Sequence, residues 1–178
     1  MRVTELPLSG SFLLQPDLHQ DSRGHFVKSF QASFFKSYGL RTDFAEQYHS
    51  YSNKNVIRGM HFQLPLHEHV KLVYCVSGSV TDVILDLRKN SPTYGNFFKI
   101  ALTSDSAQAL YIPSGIAHGF AAIGEPAFMV YNVTSEYAPH HDAGIHWNSF
   151  GYNWGLESPE ISERDQKLMS FESFISPF

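Results

Sequence analysis

Short runs of apolar, β-branched and aromatic residues recur along the chain, with turn residues between them. Their alternation at a period of two predicts strands at residues 11–15, 25–30, 43–52, 55–63, 70–77, 79–87, 97–102, 109–113, 117–123 and 127–134. Gly78 separates two of these runs, and Ser91, Pro92 and Thr93 mark another turn. Helical character is confined to two places. One follows Phe30, in QASFFKSYG, and ends at Gly39. The other begins near Ser162, where Ser-Glu-Arg-Asp sets a capping hydroxyl ahead of acidic residues in a first turn. Many short antiparallel strands with few helices predict a mainly β sandwich or barrel.

The same alternation assigns faces. Lys71 shares a face with Val73 and Cys75, and Asp82 and Asp86 share one with Val80 and Ile84. A charge among apolar neighbours either wets itself at a strand end or lines a cavity, where it needs a partner. Arg58 and His61 lie three positions apart and so face opposite ways on a regular strand. For both to line one pocket the strand must bulge, and Gly59 is the place for it.

Composition narrows the class. At 178 residues, 43% hydrophobic and 17% charged, the chain suits one globular domain spanning 1–178. A net charge of −4 argues against a nucleic-acid-binding face and leaves room for a local basic pocket. The single cysteine, Cys75, allows no internal disulfide and fits a reducing compartment. No run of apolar residues is long enough to predict a membrane span. The N-terminal MRVTELPLSGSFLLQ lacks the apolar core and cleavage site of a signal peptide, so the expected location is the cytoplasm.

The chemistry concentrates in RGMHFQLPLHEHVK, residues 58–71, and in PSGIAHG, residues 113–119. His67 and His69 are spaced to point the same way on a strand, and His118 follows a tight turn. Together they resemble the metal-binding motifs of the cupin superfamily. The carboxylate expected after the histidine pair is missing, since Val70, Lys71, Leu72 and Val73 stand there. Lys71 would also place a positive charge beside the cation. No metal is therefore expected, with His67 and His69 at a pocket rim or in solvent. A second reading uses His61, Lys71 and Tyr131 as base, cation and acid converging inside a barrel. That set suits proton abstraction beside a carbonyl, with an enolate held by the cation.

Seven segments in order carry a family resemblance: DSRGHF (21–26), NVIRGMHFQ (55–63), KLVYCVSGSVTDVILDLRKNSPTYG (71–95), YIPSGIAHGF (111–120), YNVTSEYAP (131–139), GIHWN (144–148) and SERD (162–165). The chain resembles the dTDP-4-dehydrorhamnose 3,5-epimerases. The resemblance implies a cupin-type β jelly roll, a homodimer, a nucleotide-sugar substrate and no cofactor, in deoxysugar and polysaccharide biosynthesis. It implies His61 as catalytic base with Asp165 as its paired carboxylate, Tyr131 as acid, and Lys71 as the group holding the enolate oxygen. It implies Arg23, Arg58 and His118 as contacts to sugar or diphosphate, Tyr137 as a stack for the nucleotide base, and Phe26 and Phe120 as walls. Departures from the family pattern fall at substrate-contact positions. Glu46, Gln47 and Tyr48 replace a Gln-Asp-Asn-like triplet, Lys28 and Asp142 each replace a glutamate, Arg164 replaces a lysine, and Glu136 replaces a tyrosine. The expectation is retained chemistry on an altered substrate, either another nucleotide or another 4-keto-6-deoxy sugar, with epimerisation at C3 alone as a further option. A metal-dependent cupin enzyme and a non-catalytic sugar-nucleotide-binding cupin remain the alternatives.

Overall fold

The computed structural model describes all residues from Met1 to Phe178. Two antiparallel sheets pack face to face. The first has the strand order β1 (Arg2–Glu5), β2 (Phe12–Gln15), β10 (Ala109–Ile112), β7 (Lys71–Ser77), β12 (Ala127–Val133), β5 (Glu46–Ser52). The second has the order β13 (Asp142–Gly144), β6 (Ile57–Gln63), β11 (Ile116–Ala121), β8 (Ser79–Asp86), β9 (Phe97–Thr103). This is the expected mainly β, cupin-type jelly roll. A separate hairpin, β3 (Leu18–Asp21) with β4 (Gly24–Val27), pairs with neither sheet. No helix is long and apolar enough to cross a membrane.

The core follows from strand alternation. Val73, Cys75, Met129 and Tyr131 of the first sheet meet Val80, Ile84 and Phe120 of the second. Helix α1 (Ala32–Ser37) buries Phe35 on the outer face of the first sheet, against Leu14 and Leu72. The outer face of the second sheet is covered by the C-terminal segment through Ile145, Phe150 and Trp154. Burying these aromatic and aliphatic side chains stabilises both layers.

The predicted strands are all present, with shifted ends. The run at 25–30 stops at Val27, and the run at 43–52 starts at Glu46. Three strands were not predicted. β1 is short, β3 reads Leu-His-Gln-Asp and is exposed throughout, and β13 has only three residues. None offers a hydrophobic alternation to read.

The bulge in β6 forms where the sequence demands it. His61 pairs with His118 and Arg58 pairs with Phe120, so three steps on β6 oppose two on β11. Gly59 takes φ +128°, and a Cβ there would lie 2.5 Å from the Gly119 Cα. Only glycine fits that conformation and that approach. As a result Arg58 and His61 face the same cavities.

Candidate active site

His61 sits on β6 with its Nε2 2.7 Å from Asp165 Oδ1. Asp165 comes from α2 (Glu163–Gln166), a single turn capped by Ser162, whose Oγ accepts from the Asp165 amide at 3.1 Å. The other carboxylate oxygen accepts from the Gly59 amide at 3.2 Å. The bulge and the capped turn thus hold both members of the pair. Burial alone would raise the Asp165 carboxyl, but its pairing with His61, the Gly59 amide and the Arg164 charge together outweigh it and leave the pKa lowered. His61 is lowered by burial and by the charges of Lys71 and Arg164, against the opposing pull of Asp165. A neutral imidazole donating from Nε2 to an ionised carboxylate satisfies both directions, and leaves Nδ1 with a free lone pair. Arg164 Nη1 lies 2.9 Å from the same Nε2. It has no lone pair to receive that proton, and its own donor serves Asp165 Oδ1 at 3.2 Å.

Lys71 opens β7 and is 4% exposed. Its Nζ donates to the His61 carbonyl at 3.0 Å. Burial pulls its pKa down to about 8, while the charges of Asp142 and Asp82 hold it up. It is therefore still a cation at neutral pH. Tyr131, on β12, has its hydroxyl 3.2 Å from Ser50 Oγ, and burial pushes that hydroxyl far above its ordinary value. The phenol stays protonated across any working pH. His118 is buried with its Nε2 2.8 Å from Asp82 Oδ2, while Asp82 Oδ1 has no partner.

These groups surround two neighbouring cavities. The inner one, of about 280 Å³, is lined by Arg58, His61, Lys71, His118 and Tyr131, with Phe120 as wall. The outer one, of about 290 Å³, adds Glu46, Tyr137, Asp142 and Arg164. Tyr48, His61 and Lys71 border both. At the outer rim Arg164 Nη2 donates to Asp142 Oδ2 at 2.6 Å, and the Tyr137 amide donates to Glu46 Oε2 at 2.8 Å. Arg58 is held by donating from Nε to Ser52 Oγ at 2.9 Å.

Four candidates are not brought to this pocket. Gln47 lies between Glu46 and Tyr48 on β5 and so projects from the opposite face, where its Nε2 donates to Asn132 Oδ1 at 2.6 Å. Its expected role as a substrate contact of this pocket is corrected on that ground. Arg23 and Lys28 belong to the exposed hairpin and its flank, and Arg23 pairs with Asp21 of the same hairpin at 2.6 Å. Phe26 stands with them, 61% exposed. Other lining residues escaped the sequence reading. Gln63 is buried, accepts from the Ala138 amide at 2.7 Å and donates to the His67 carbonyl at 2.8 Å, tying together the loops of the rim. Ser50 holds the Tyr131 hydroxyl. Each lies two positions from a recognised site residue, His61 and Tyr48, so the strand period was the available signal.

The three histidines of the metal motif turn to different partners. His67 is exposed, with its ring 4.3 Å from that of His141. His69 lies at the outer cavity with Nδ1 3.2 Å from Ser135 Oγ, and burial lowers its pKa to about 3. His118 is held by Asp82. Nowhere do three metal-ligating side chains converge.

Removing a proton beside a carbonyl and returning it on the other face is isomerase chemistry. On this jelly roll it makes the protein a cupin-type isomerase that works beside a carbonyl. Comparison with known proteins supplies the particular family. The family described as dTDP-4-dehydrorhamnose 3,5-epimerase matches residues 5–173, and the chain belongs to it. The dTDP-4-dehydrorhamnose 3,5-epimerase of Escherichia coli (strain K12) is 37% identical, over 98% of this chain and 97% of the relative. A dTDP-6-deoxy-D-glucose-3,5-epimerase from Legionella pneumophila, solved with dTDP-4-keto-L-rhamnose, superposes with a TM-score of 0.93 at 29% identity, covering 98% of this chain and 94% of the other. The 3′-monoepimerase ChmJ from Streptomyces bikiniensis, solved with dTDP-quinovose, gives 0.86 at 27% identity, covering 93% and 85%.

Proposed function

We propose that the enzyme epimerises a nucleotide-linked 4-keto-6-deoxy sugar at C3, or at C3 and C5, through an enolate. One observation carries this reading: the carboxylate-paired imidazole of His61 faces the same small cavity as the Tyr131 phenol, with the buried Lys71 cation between the sheets. His61 Nδ1 takes the proton from the carbon beside the C4 carbonyl, and Asp165 stabilises the imidazolium that results. Lys71 holds the C4 oxygen as negative charge develops on it. Tyr131 gives a proton to the opposite face of the carbon. His118 and Arg58 hold the sugar and the first phosphate, and Arg164 reaches the diphosphate at the outer rim. Tyr137 offers its exposed ring to the base. After each inversion His61 releases its proton to solvent and Tyr131 regains one from solvent, so the scheme closes without a cofactor.

The substrate differs from the standard thymidine-linked one in its nucleotide or its sugar, and inversion at C3 alone is a separate variant of the same chemistry. The support is positional. Glu46, Tyr48, Asp142 and Arg164, which replace the family residues, line the outer cavity, while His61, Lys71 and Tyr131 are as the family pattern has them. A homodimer is part of the proposal, with the β3–β4 hairpin lending Arg23, Phe26 and Lys28 to the partner's site. Its support is that these residues stand apart from the pocket of their own chain. The single buried Cys75 suits a reducing cytoplasm.

The test is incubation with a panel of 4-keto-6-deoxy nucleotide sugars in deuterated water, followed by NMR. Deuterium should enter at C3, or at C3 and C5, and His61→Ala should abolish it. No incorporation across the panel overturns the epimerase reading. Turnover of dTDP-4-dehydro-6-deoxyglucose at the rate of the Escherichia coli relative overturns the altered substrate.

A further inference from the structure

Tyr48 takes no part in the proton steps above, yet it borders both cavities. It lies directly opposite Tyr131 in the β5–β12 ladder. Their rings stack, with centroids 4.7 Å apart and planes 14° from parallel. We propose that Tyr48 is a positioning residue that pins the Tyr131 ring, and so sets how strongly the enzyme favours one of the two carbons flanking the keto group. The inference rests on the epimerase reading.

Tyr131 is held on three sides. Tyr48 covers one ring face. The His118 ring meets it edge-on at 6.0 Å and 66°. Ser50 Oγ engages the hydroxyl at 3.2 Å. A ring fixed at face, edge and tip cannot turn about its side-chain torsions without losing packed contacts. With the C4 oxygen anchored on Lys71, C3 and C5 lie on opposite sides of that anchor. A hydroxyl fixed in space is within reach of one of them and out of line for the other. Proton return to the second carbon then requires the sugar to turn over or the acid to swing, and the stack opposes the swing. Misalignment of a proton donor costs rate steeply, because reacting atoms must meet at hydrogen-bonding distance.

The experiment compares exchange at the two carbons, read as loss of the C3 and C5 proton signals in deuterated water with a 4-keto sugar nucleotide that the unaltered enzyme accepts. Tyr48→Phe keeps the flat ring and should keep the ratio of the two exchange rates, whatever its absolute rate. Tyr48→Ala frees Tyr131 and should shrink that ratio by about tenfold. If Tyr48→Ala does not fold, Tyr48→Leu keeps apolar bulk without a flat face and carries the same expectation. An unchanged ratio in the ring-deleted variant overturns the inference alone. So does a ratio in Tyr48→Phe that falls as far as in Tyr48→Ala, since the hydroxyl and not the stack would then be responsible. No exchange at either carbon by the unaltered enzyme overturns the epimerase reading and this inference together.

Discussion

His61 is drawn in two directions, and its pH behaviour reports the balance. Burial, Lys71 and Arg164 favour the neutral ring, and Asp165 favours the charged one. The lowered result keeps the base form populated below the ordinary imidazole value of about 6.5. The acid limb of kcat/KM should therefore fall below that value. Asp165→Asn removes the group that raises the pKa, so the limb should move lower still while kcat drops by roughly 10²–10⁴-fold. A limb that moves upward in this variant would sink the assignment. Lys71, lowered to about 8, loses its charge as pH rises past that point, which sets a basic limb near 8. Lys71→Met should lose that limb along with most of its activity. At this scale much was legible. Period-two counting set Lys71, Asp82 and Asp86 among apolar neighbours, leaving open whether each wets a strand end or lines a cavity, and all three are buried. The same counting excludes Gln47, because Glu46 and Tyr48 already claim the inner side of β5. The His61–Asp165 contact was legible only through the family resemblance, since 104 positions separate the two residues.

Among the elements, the long strands were readable because one face is apolar and the other is not. β3 and β13 were not readable, because exposed or three-residue pairings need no such pattern. Helix α2 was foreseen from its cap and the acidic residues of its first turn. Four residues make a marginal helix, so the Ser162 hydroxyl matters both to its stability and to the aim of Asp165. Ser162→Ala should cost about 1 kcal/mol of stability, seen as a lower thermal midpoint. It should also reduce kcat, because Asp165 loses the bond that orients its own amide, and Ser162→Thr should restore both. A normal kcat in Ser162→Ala, alongside a lowered midpoint, would show that the turn holds Asp165 without its cap.

In the whole molecule, the β3–β4 hairpin stands outside the sandwich with its phenylalanine and arginine exposed. If it completes the partner's pocket, two inactive variants should rescue each other. Arg23→Ala and His61→Ala chains, mixed and allowed to exchange subunits, form hybrids with one intact pocket. Roughly a quarter of normal activity should return at equal mixing. No recovery after proven exchange would return Arg23 to the surface as an ordinary ion pair. The crossing of β6 over β11 has a different significance. A Cβ on Gly59 would strike the Gly119 Cα and the His118 carbonyl, and a Cβ on Gly119 would strike the Met60 sulfur and the Arg58 carbonyl. Backbone of the facing strand excludes a side chain at both glycines, so neither can be replaced without moving the crossing itself. The rim residues Glu46, Asp142 and Arg164 carry no such restriction. A lineage built on this frame can retune which sugar nucleotide it accepts, one codon at a time, while the hinge that aims its base stays closed to drift.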